Sequence, residues 1–216
     1  MRVLDVATGA GHTAAAVAPV VAEVIAIDIA PAMLARTEEL ALARGLRNVR
    51  TTLMDVEALQ FPDDSFDAVT CRIAPHHFID IDRAIAEIAR VLRVGGAFVV
   101  EDSVVPDDPS LDRFLNGVEA VRDPTHVRSL TAGEWRSKLQ AAGFSVARST
   151  THVKTHDVAE WIDRAGLADD GAAAVYDAFD AAPEAAVRRF AIEFAHGRAA
   201  RFADEKIIIR AEKLSP

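Results

Sequence analysis

The chain has 216 residues, half of them hydrophobic and 26% charged, with a formal net charge of −9. That length suffices for one sizeable core, and the acidic balance disfavours a nucleic-acid partner, because binding phosphate backbones relies on Lys and Arg displacing counterions. No apolar run reaches the ~20 residues that cross a bilayer, MRVLDVATG does not read as a leader, and the single cysteine, Cys71, excludes an intrachain disulfide and any multi-cysteine metal site.

Apolar runs rich in β-branched residues predict strands at Val3–Ala7, Val24–Ile27, Ala68–Thr70 and Ala97–Val100, with a weaker one in NVRTTLMD, Asn48–Asp55. Pro31 suits the first turn of a helix running to Gly45, which would cap its end. Ile81, Ala84, Ile85, Ile88, Ala89 and Leu92 recur at three and four and define one face of a second helix, with Asp80 and Asp82 favouring its start and Gly95-Gly96 its stop. Thr131-Ala132-Gly133-Glu134 has capping-box form, so a helix should run to about Ala142. Gly143 then breaks the pattern; FSVARSTTHV and KIIIRAE (Lys206–Glu212) read as the last two strands. Strand and helix alternating in this way imply an α/β fold with a mostly parallel sheet, right-handed crossovers and helices on both faces.

Two segments interrupt the alternation, at about 104–130 and 155–200. A loop leaving a parallel strand starts at the carboxyl edge, where ligands bind in open α/β sheets. The expectation is one domain over 1–216 with two cap-like insertions.

The chemistry is concentrated at strand ends. VLDVATGAG places Asp5 on a strand and Gly9, Gly11 and Ala14 in a G-x-G-x-x-[GA] turn, whose glycines allow a tight backbone and close approach of a ligand. Asp28 ends the second apolar run, where a carboxylate accepts hydrogen bonds from ribose hydroxyls or caps the helix at Pro31. LMDVEAL places Asp55 after the third strand, and FPDDSFDAVTCRIAPHHF puts a histidine-containing loop after the fourth.

With ARVLRVGGAFVVED completing the series, the sequence resembles class I S-adenosylmethionine-dependent methyltransferases, in the form of the ubiquinone/menaquinone methyltransferase-like, or type 11, group. The motifs LDVATGAG, VIAIDIAPAML, DVEALQFPDDSFDAVTCR and ARVLRVGGAFVVED follow in order and spacing over residues 2–103. The resemblance implies a Rossmann-like seven-stranded sheet with an antiparallel last strand, and S-adenosylmethionine as cofactor with S-adenosylhomocysteine as product. It also implies roles. Asp5, Ala7, Thr8, Gly9 and Gly11 would line the methionine portion; Asp28 and Ile29, with Met33 nearby, would hold the ribose. Asp55, Val56 and Glu57 would frame the adenine, and Arg72 and Ile73 would lie beside the sulfonium. Ala7 stands where the first motif usually has its first glycine. Relatives carry helices ahead of the first strand that cover the cofactor; here the strand begins almost at Met1, so either the insertions supply the cover or the chain is a shortened form.

Methyl transfer to a protonated acceptor needs a base, and His76 or His77, in the loop after the fourth strand, fits that role or orients the loop. Arg122, His126 and Arg128 in VRDPTHVRSLT could bind an acidic or phosphorylated substrate, or tie the loop down through pairs with Asp123. RIAPHH replaces the [DN]PP[YF] pattern of exocyclic base-nitrogen methylation, and no ligand spacing suggests a metal. Together with the acidic charge, this favours a small organic acceptor, and analogy with the family the sequence resembles implies methylation at oxygen or carbon. A nicotinamide-dependent oxidoreductase and a catalytically silent S-adenosylmethionine-binding protein are the alternatives. The expected setting is the cytoplasm, as a monomer or a homodimer.

Overall fold

A computed structural model describes residues 1–215. The chain divides into two compact units: unit 1 holds 1–102, 135–150 and 208 to the C-terminus, and unit 2 holds 103–134 and 151–207.

Unit 1 starts with β1 (Arg2–Val6), α1 (His12–Val17), β2 (Glu23–Asp28), α2 (Pro31–Ala43) and β3 (Val49–Leu53). β4 (Phe66–Arg72), α3 (Ile81–Val91) and β5 (Leu92–Val105) follow. The chain then runs through α4 (Pro109–Arg122), β6 (Leu130–Thr131), α5 (Ala132–Ala141) and β7 (Phe144–Asp157). It ends with α6 (Val158–Asp163), α7 (Asp169–Asp180), α8 (Glu184–Arg189), β8 (Glu193–Ala195) and β9 (Arg198–Lys213). Strand order is β3-β2-β1-β4-β5-β9-β7, with β6 beside β5 and β8 beside β9. The sheet is Rossmann-like, parallel from β3 through β5, with β8 antiparallel to β9.

β1 lies in the middle of the parallel part, paired with β2 and β4. Val3, Leu4 and Val6 are almost wholly buried, as a strand covered by helices on both faces requires. Strand order reverses between β1 and β4, so this unit's switch point lies at their carboxyl ends, where Val6 pairs with both Ile27 and Cys71.

Local signals account for most boundaries. Pro31 opens α2, and Gly45 (φ +66°) closes it, with Leu46 N–H donating to the Ala41 carbonyl. Asp80 caps α3 by accepting the Arg83 N–H. Thr131 and Glu134 form the capping box reciprocally, with distances of 3.2 and 2.8 Å.

Three boundaries differ from expectation. α3 ends at Val91, and Gly95-Gly96 fall inside β5 rather than at a helix stop. Leu92 pairs with Phe66 and Ala97 with Ala68, so the residues between them bulge out of register. A Cβ on Gly96 would meet the Arg93 carbonyl at 2.7 Å, so the bulge requires a glycine there. β7 runs on to Asp157 and β9 starts at Arg198, so the second insertion is shorter than the sequence suggested.

Unit 2 carries its own core, with Trp161, Val175, Phe179, Phe190 and Phe202 all buried. α4, α6, α7 and α8 contribute to it, and Phe114 stacks on Phe190 with ring centroids 5.7 Å apart.

Candidate active site

At the tip of β1 the backbone turns through Ala7 (φ +50°), Gly9 (φ +56°) and Gly11 (φ +78°). Gly11 is required on two grounds: its left-handed backbone, and the Thr37 side chain, whose atoms would lie 2.7–2.9 Å from an added Cβ. Thr37, on the buried face of α2, also donates to the Gly9 carbonyl at 2.9 Å. Nothing lies within 4 Å of a Cβ built on Gly9, so the loop presents open backbone there. Ala14 is wholly buried and lets α1 pack against the sheet.

The Asp28 carboxylate fastens this loop to β2. Oδ2 accepts the Gly9 N–H at 2.8 Å and Oδ1 accepts the Ala30 N–H at 2.9 Å. Asp28 thus braces the residue ahead of α2 without capping the helix itself, and its carboxylate keeps lone pairs for a further donor. Ile29 beside it is 72% exposed, and Met33 is half-buried.

Asp5 is about 1% exposed and accepts the Thr8 hydroxyl at 2.5 Å and the Thr70 hydroxyl at 2.6 Å. Burial pushes its carboxyl above the ordinary carboxylate range, against the lowering pull of Thr70, Thr8, the Ala14 N–H and the Arg72 charge. An anion held in this state gains from a nearby cation.

Asp55 is exposed and accepts the Glu57 N–H at 2.9 Å, at the start of a single helical turn that buries Val56. Glu57 in turn accepts the Asp80 N–H at 2.9 Å. Register places these groups side by side: Asp28 pairs with Leu53, two residues before Asp55, and Val6 pairs with Ile27, one before Asp28.

β4 ends in Arg72, whose guanidinium donates to Glu101 at 2.8 Å, and Ile73 follows it with a φ of +50°, a real departure for a β-branched residue. The Ile73 N–H donates to the Glu101 carbonyl at 2.7 Å, which holds the strained turn. In the short helical turn that follows, His76 Nδ1 lies 2.6 Å from Asp102 Oδ1, and the His77 ring packs 4.1 Å from the His76 ring, centre to centre. Asp102 is about 1% exposed. On β4 Cys71 is buried, and burial, then the charges of Asp102 and Asp5, push its thiol well up. It is a packing residue, not a nucleophile.

The remaining predicted residues lie in unit 2. Arg122 donates to the Trp161 carbonyl at 2.9 Å and sits over the Trp161 ring. His126 Nε2 lies 2.9 Å from Asn116 Oδ1. Arg128 pairs with Glu134 at 2.7 Å and Asp112 at 2.8 Å, so the partners that tie it down include those two carboxylates, outside the VRDPTHVRSLT stretch.

Sequence reasoning passed over Thr37, Thr70 and Asp102. Thr37 carries a signal, as the one polar position in the buried series Leu34, Thr37, Ala41. Asp102 carries another, as a carboxylate inside the buried last stretch of β5.

The strand tips offer a set of acceptors to a ligand rich in donors. Asp5 suits an ammonium, Asp28 vicinal hydroxyls and Asp55 an amino group, and the open backbone at Gly9 leaves room beside them. This donor set fits S-adenosylmethionine. Comparison with known proteins agrees. The family described as a methyltransferase domain matches residues 4–100. The uncharacterized methyltransferase YcgJ of Bacillus subtilis is 41% identical over 78% of this chain and 67% of its own length. Its crystal structure superposes with a TM-score of 0.93 at 36% identity, covering 100% of this chain and 92% of that one. A crystal structure of a putative methyltransferase from Bacillus halodurans gives a TM-score of 0.96 at 34% identity, covering 99% of this chain and 93% of that one. The demethylmenaquinone methyltransferase of Thermus thermophilus is 47% identical over 67% of this chain and 74% of its own. The chain belongs to the class I S-adenosylmethionine-dependent methyltransferases.

Proposed function

We propose that this enzyme methylates a carbon or oxygen of a small organic acceptor by direct displacement, with His76 as the base and Asp102 as the residue that positions it. The observation that carries this reading is the 2.6 Å contact between His76 Nδ1 and Asp102 Oδ1. A ring that donates Nδ1–H to this carboxylate is held in a fixed orientation, as a general base requires. His77 packs against the ring and fixes its tilt. Bound S-adenosylmethionine supplies a methyl group already activated on a sulfonium, so the protein's work is positioning, desolvation and removal of the acceptor's proton.

Within this reading, Asp5, Ala7, Thr8, Gly9 and Gly11 hold the methionine part; Asp28, Ile29 and Met33 hold the ribose. Asp55, Val56 and Glu57 frame the adenine, and Arg72 and Ile73 border the methyl group. An acceptor with an acidic hydroxyl or an enolisable carbon matches a histidine base. The name of the Thermus thermophilus relative, a demethylmenaquinone methyltransferase, supports a quinone-type ring.

The test pairs binding with turnover. Calorimetry should show heat with S-adenosylmethionine and S-adenosylhomocysteine and none with a nicotinamide dinucleotide. With a naphthohydroquinone as acceptor, His76→Asn should lower kcat about 10²-fold, at the lower end for loss of a general base, while cofactor affinity stays unchanged. Asp102→Asn should lower kcat less and move the pH profile. Full turnover by His76→Asn would remove His76 from the chemistry. Tight cofactor binding without turnover across a panel of phenols, enols and hydroquinones would favour a silent binding protein.

A further inference from the structure

α3 grips the loop that follows β3 at both of its own ends. At the start of the helix the Asp80 N–H donates to Glu57 Oε1 at 2.9 Å. In the last turn Arg90 spreads one guanidinium over four groups. Nη2 donates to the Leu59 carbonyl and Nη1 to the Phe61 carbonyl, each at 2.8 Å. Nη1 also donates to Asp63 Oδ1 at 2.8 Å, while Nε and Nη2 hold the two oxygens of Glu87 at 2.7 and 2.8 Å. Glu87 completes the clasp by accepting the Leu59 N–H at 2.9 Å. The N–H and the carbonyl of Leu59 are thus each held by one member of the same ion pair.

Leu59 and Phe61 lie outside any helix or strand, so their carbonyls need donors from elsewhere. A planar fork serves several acceptors at once, which the point charge of a lysine does not. The Arg90 hydrogen bonds also hold the Glu87 carboxyl below its ordinary value. An exposed ion pair alone adds little to stability; the carbonyl contacts give this one a local task. Leu59 directly follows the single turn Val56–Ala58, whose first N–H groups are capped by Asp55. Ahead of that turn, the Met54 N–H donates to the Asp28 carbonyl at 3.1 Å. Val56 and Leu59 are buried, and Asp55 between the two fastenings is exposed. The strand on one side and the Arg90–Glu87 clasp on the other therefore set where the Asp55 carboxylate stands.

We propose that Arg90, with Glu87, is the positioning residue for recognition of the adenine amino group: it fixes the turn that carries Asp55 and so sets the preference for adenine over its deaminated counterpart. This deepens the assignment of Asp55 to the adenine and rests on it. Arg90 acts through the turn and needs no contact with the cofactor. Its loss leaves the carboxylate in place along the chain but frees the turn to move, so the hydrogen bond to the amino group is no longer held in advance of binding.

The test uses the full chain and two ligands. Calorimetry compares S-adenosylhomocysteine with S-inosylhomocysteine, in which a carbonyl replaces the amino group. The native protein should prefer the adenosyl ligand at least about tenfold, as loss of a hydrogen bond to a charged group implies. Asp55→Ala should abolish the preference. Arg90→Met should bring it below about threefold by weakening the adenosyl ligand and leaving the inosyl ligand nearly unchanged. Arg90→Lys keeps a cation beside Glu87 and gives up the fork, so it should lose the preference as well; if Arg90→Met does not fold, this variant decides. A merely structural role would weaken both ligands alike. A native-sized preference in either Arg90 variant, with Asp55→Ala behaving as expected, therefore overturns the proposal and leaves the adenine assignment standing. No preference in the native protein, or its survival in Asp55→Ala, overturns the adenine assignment itself and the role of Arg90 with it.

Discussion

Asp5 in unit 1 and Asp204 in unit 2 are equally buried, each about 1% exposed, and their carboxyls shift in opposite directions. Around Asp5 the direct partners are neutral hydroxyls, and burial wins, so the carboxyl rises. Around Asp204 burial again pushes upward, but the His156 hydrogen bond and the Lys206 charge outweigh it and hold the carboxyl below its ordinary value. The His156 hydrogen bond and the Lys206 cation together outweigh burial at Asp204, where two neutral hydroxyls do not at Asp5. The contrast separates two designs. Asp204 has its counter-charge built into the chain, whereas Asp5 is an anion whose stability would rise with a cation brought in by a ligand.

Removing one side of the built-in pair gives the largest expected effect. Asp204→Asn leaves the Lys206 ammonium buried without its partner and should cost about 3–5 kcal/mol in urea unfolding at neutral pH. Asp204→Leu combined with Lys206→Met should come back close to the native value, because a buried pair replaced whole by apolar groups is often neutral. The pH dependence gives the sign. Asp204's folded value lies below its unfolded one, so its contribution is complete above about pH 4 and is lost as pH falls through the folded value. The native and Asp204→Asn curves should therefore converge in acid. A loss under 1 kcal/mol at neutral pH would mean that water screens Lys206, and the contrast with Asp5 would fail.

Asp28→Ala comes next, read as affinity. It deletes a carboxylate that fastens Gly9 and Ala30 and that is assigned to the ribose hydroxyls. Hydrogen bonds to charged groups contribute about 1.5–3 kcal/mol each, so S-adenosylmethionine should bind at least tenfold more weakly by calorimetry. An unchanged Kd would misplace the ribose. Asp5→Asn should give a smaller and opposite pair of changes: an equal or higher Tm, with weaker cofactor binding. Asp5's folded value lies above its unfolded one, so its contribution is greatest in acid and is lost as pH rises through the folded value. The stability advantage of Asp5→Asn should accordingly grow with pH. A variant that loses stability at neutral pH would show that the Thr8 and Thr70 hydroxyls need the charge.

The two regions were unequally legible in the sequence for a physical reason. In unit 1 the informative residues lie within a few positions of one strand end: Asp5 with Thr8, Asp28 with Ala30, Asp55 with Glu57. Strand periodicity and turn chemistry read such neighbours directly. The links that finish the site are long-range. Thr70 reaches Asp5 across 65 residues and His76 reaches Asp102 across 26, and no local pattern couples them. In unit 2 the buried polar group is finished in the same way, with Lys206 and Ser103 separated by 103 residues and His156 and Asp204 by 48. A trace was present. Phe202, Asp204 and Lys206 alternate along β9 and share its buried face, so period two points both charges inward. Reading the strand from Lys206 instead of Arg198 cut that alternation off.

The smallest effect concerns the loop that carries Thr8 to Asp5. Ala7 has φ +50°, a backbone that costs an L-residue about 1–2 kcal/mol, at the position where the resemblance implies a glycine. Ala7→Gly removes that cost and gives back about 0.5–1 kcal/mol through the greater freedom of the unfolded chain. The net gain should be under about 1 kcal/mol, a Tm rise of no more than about 2–4 °C. Cofactor affinity should hold, because the loop is already fastened at three other points: Thr8 N–H to the Ile27 carbonyl at 2.9 Å, Gly9 N–H to Asp28 at 2.8 Å and Thr37 to the Gly9 carbonyl at 2.9 Å. If Ala7→Gly binds S-adenosylmethionine more than threefold more weakly, those three bonds do not set the loop alone, and the alanine Cβ contributes to holding Thr8 against Asp5.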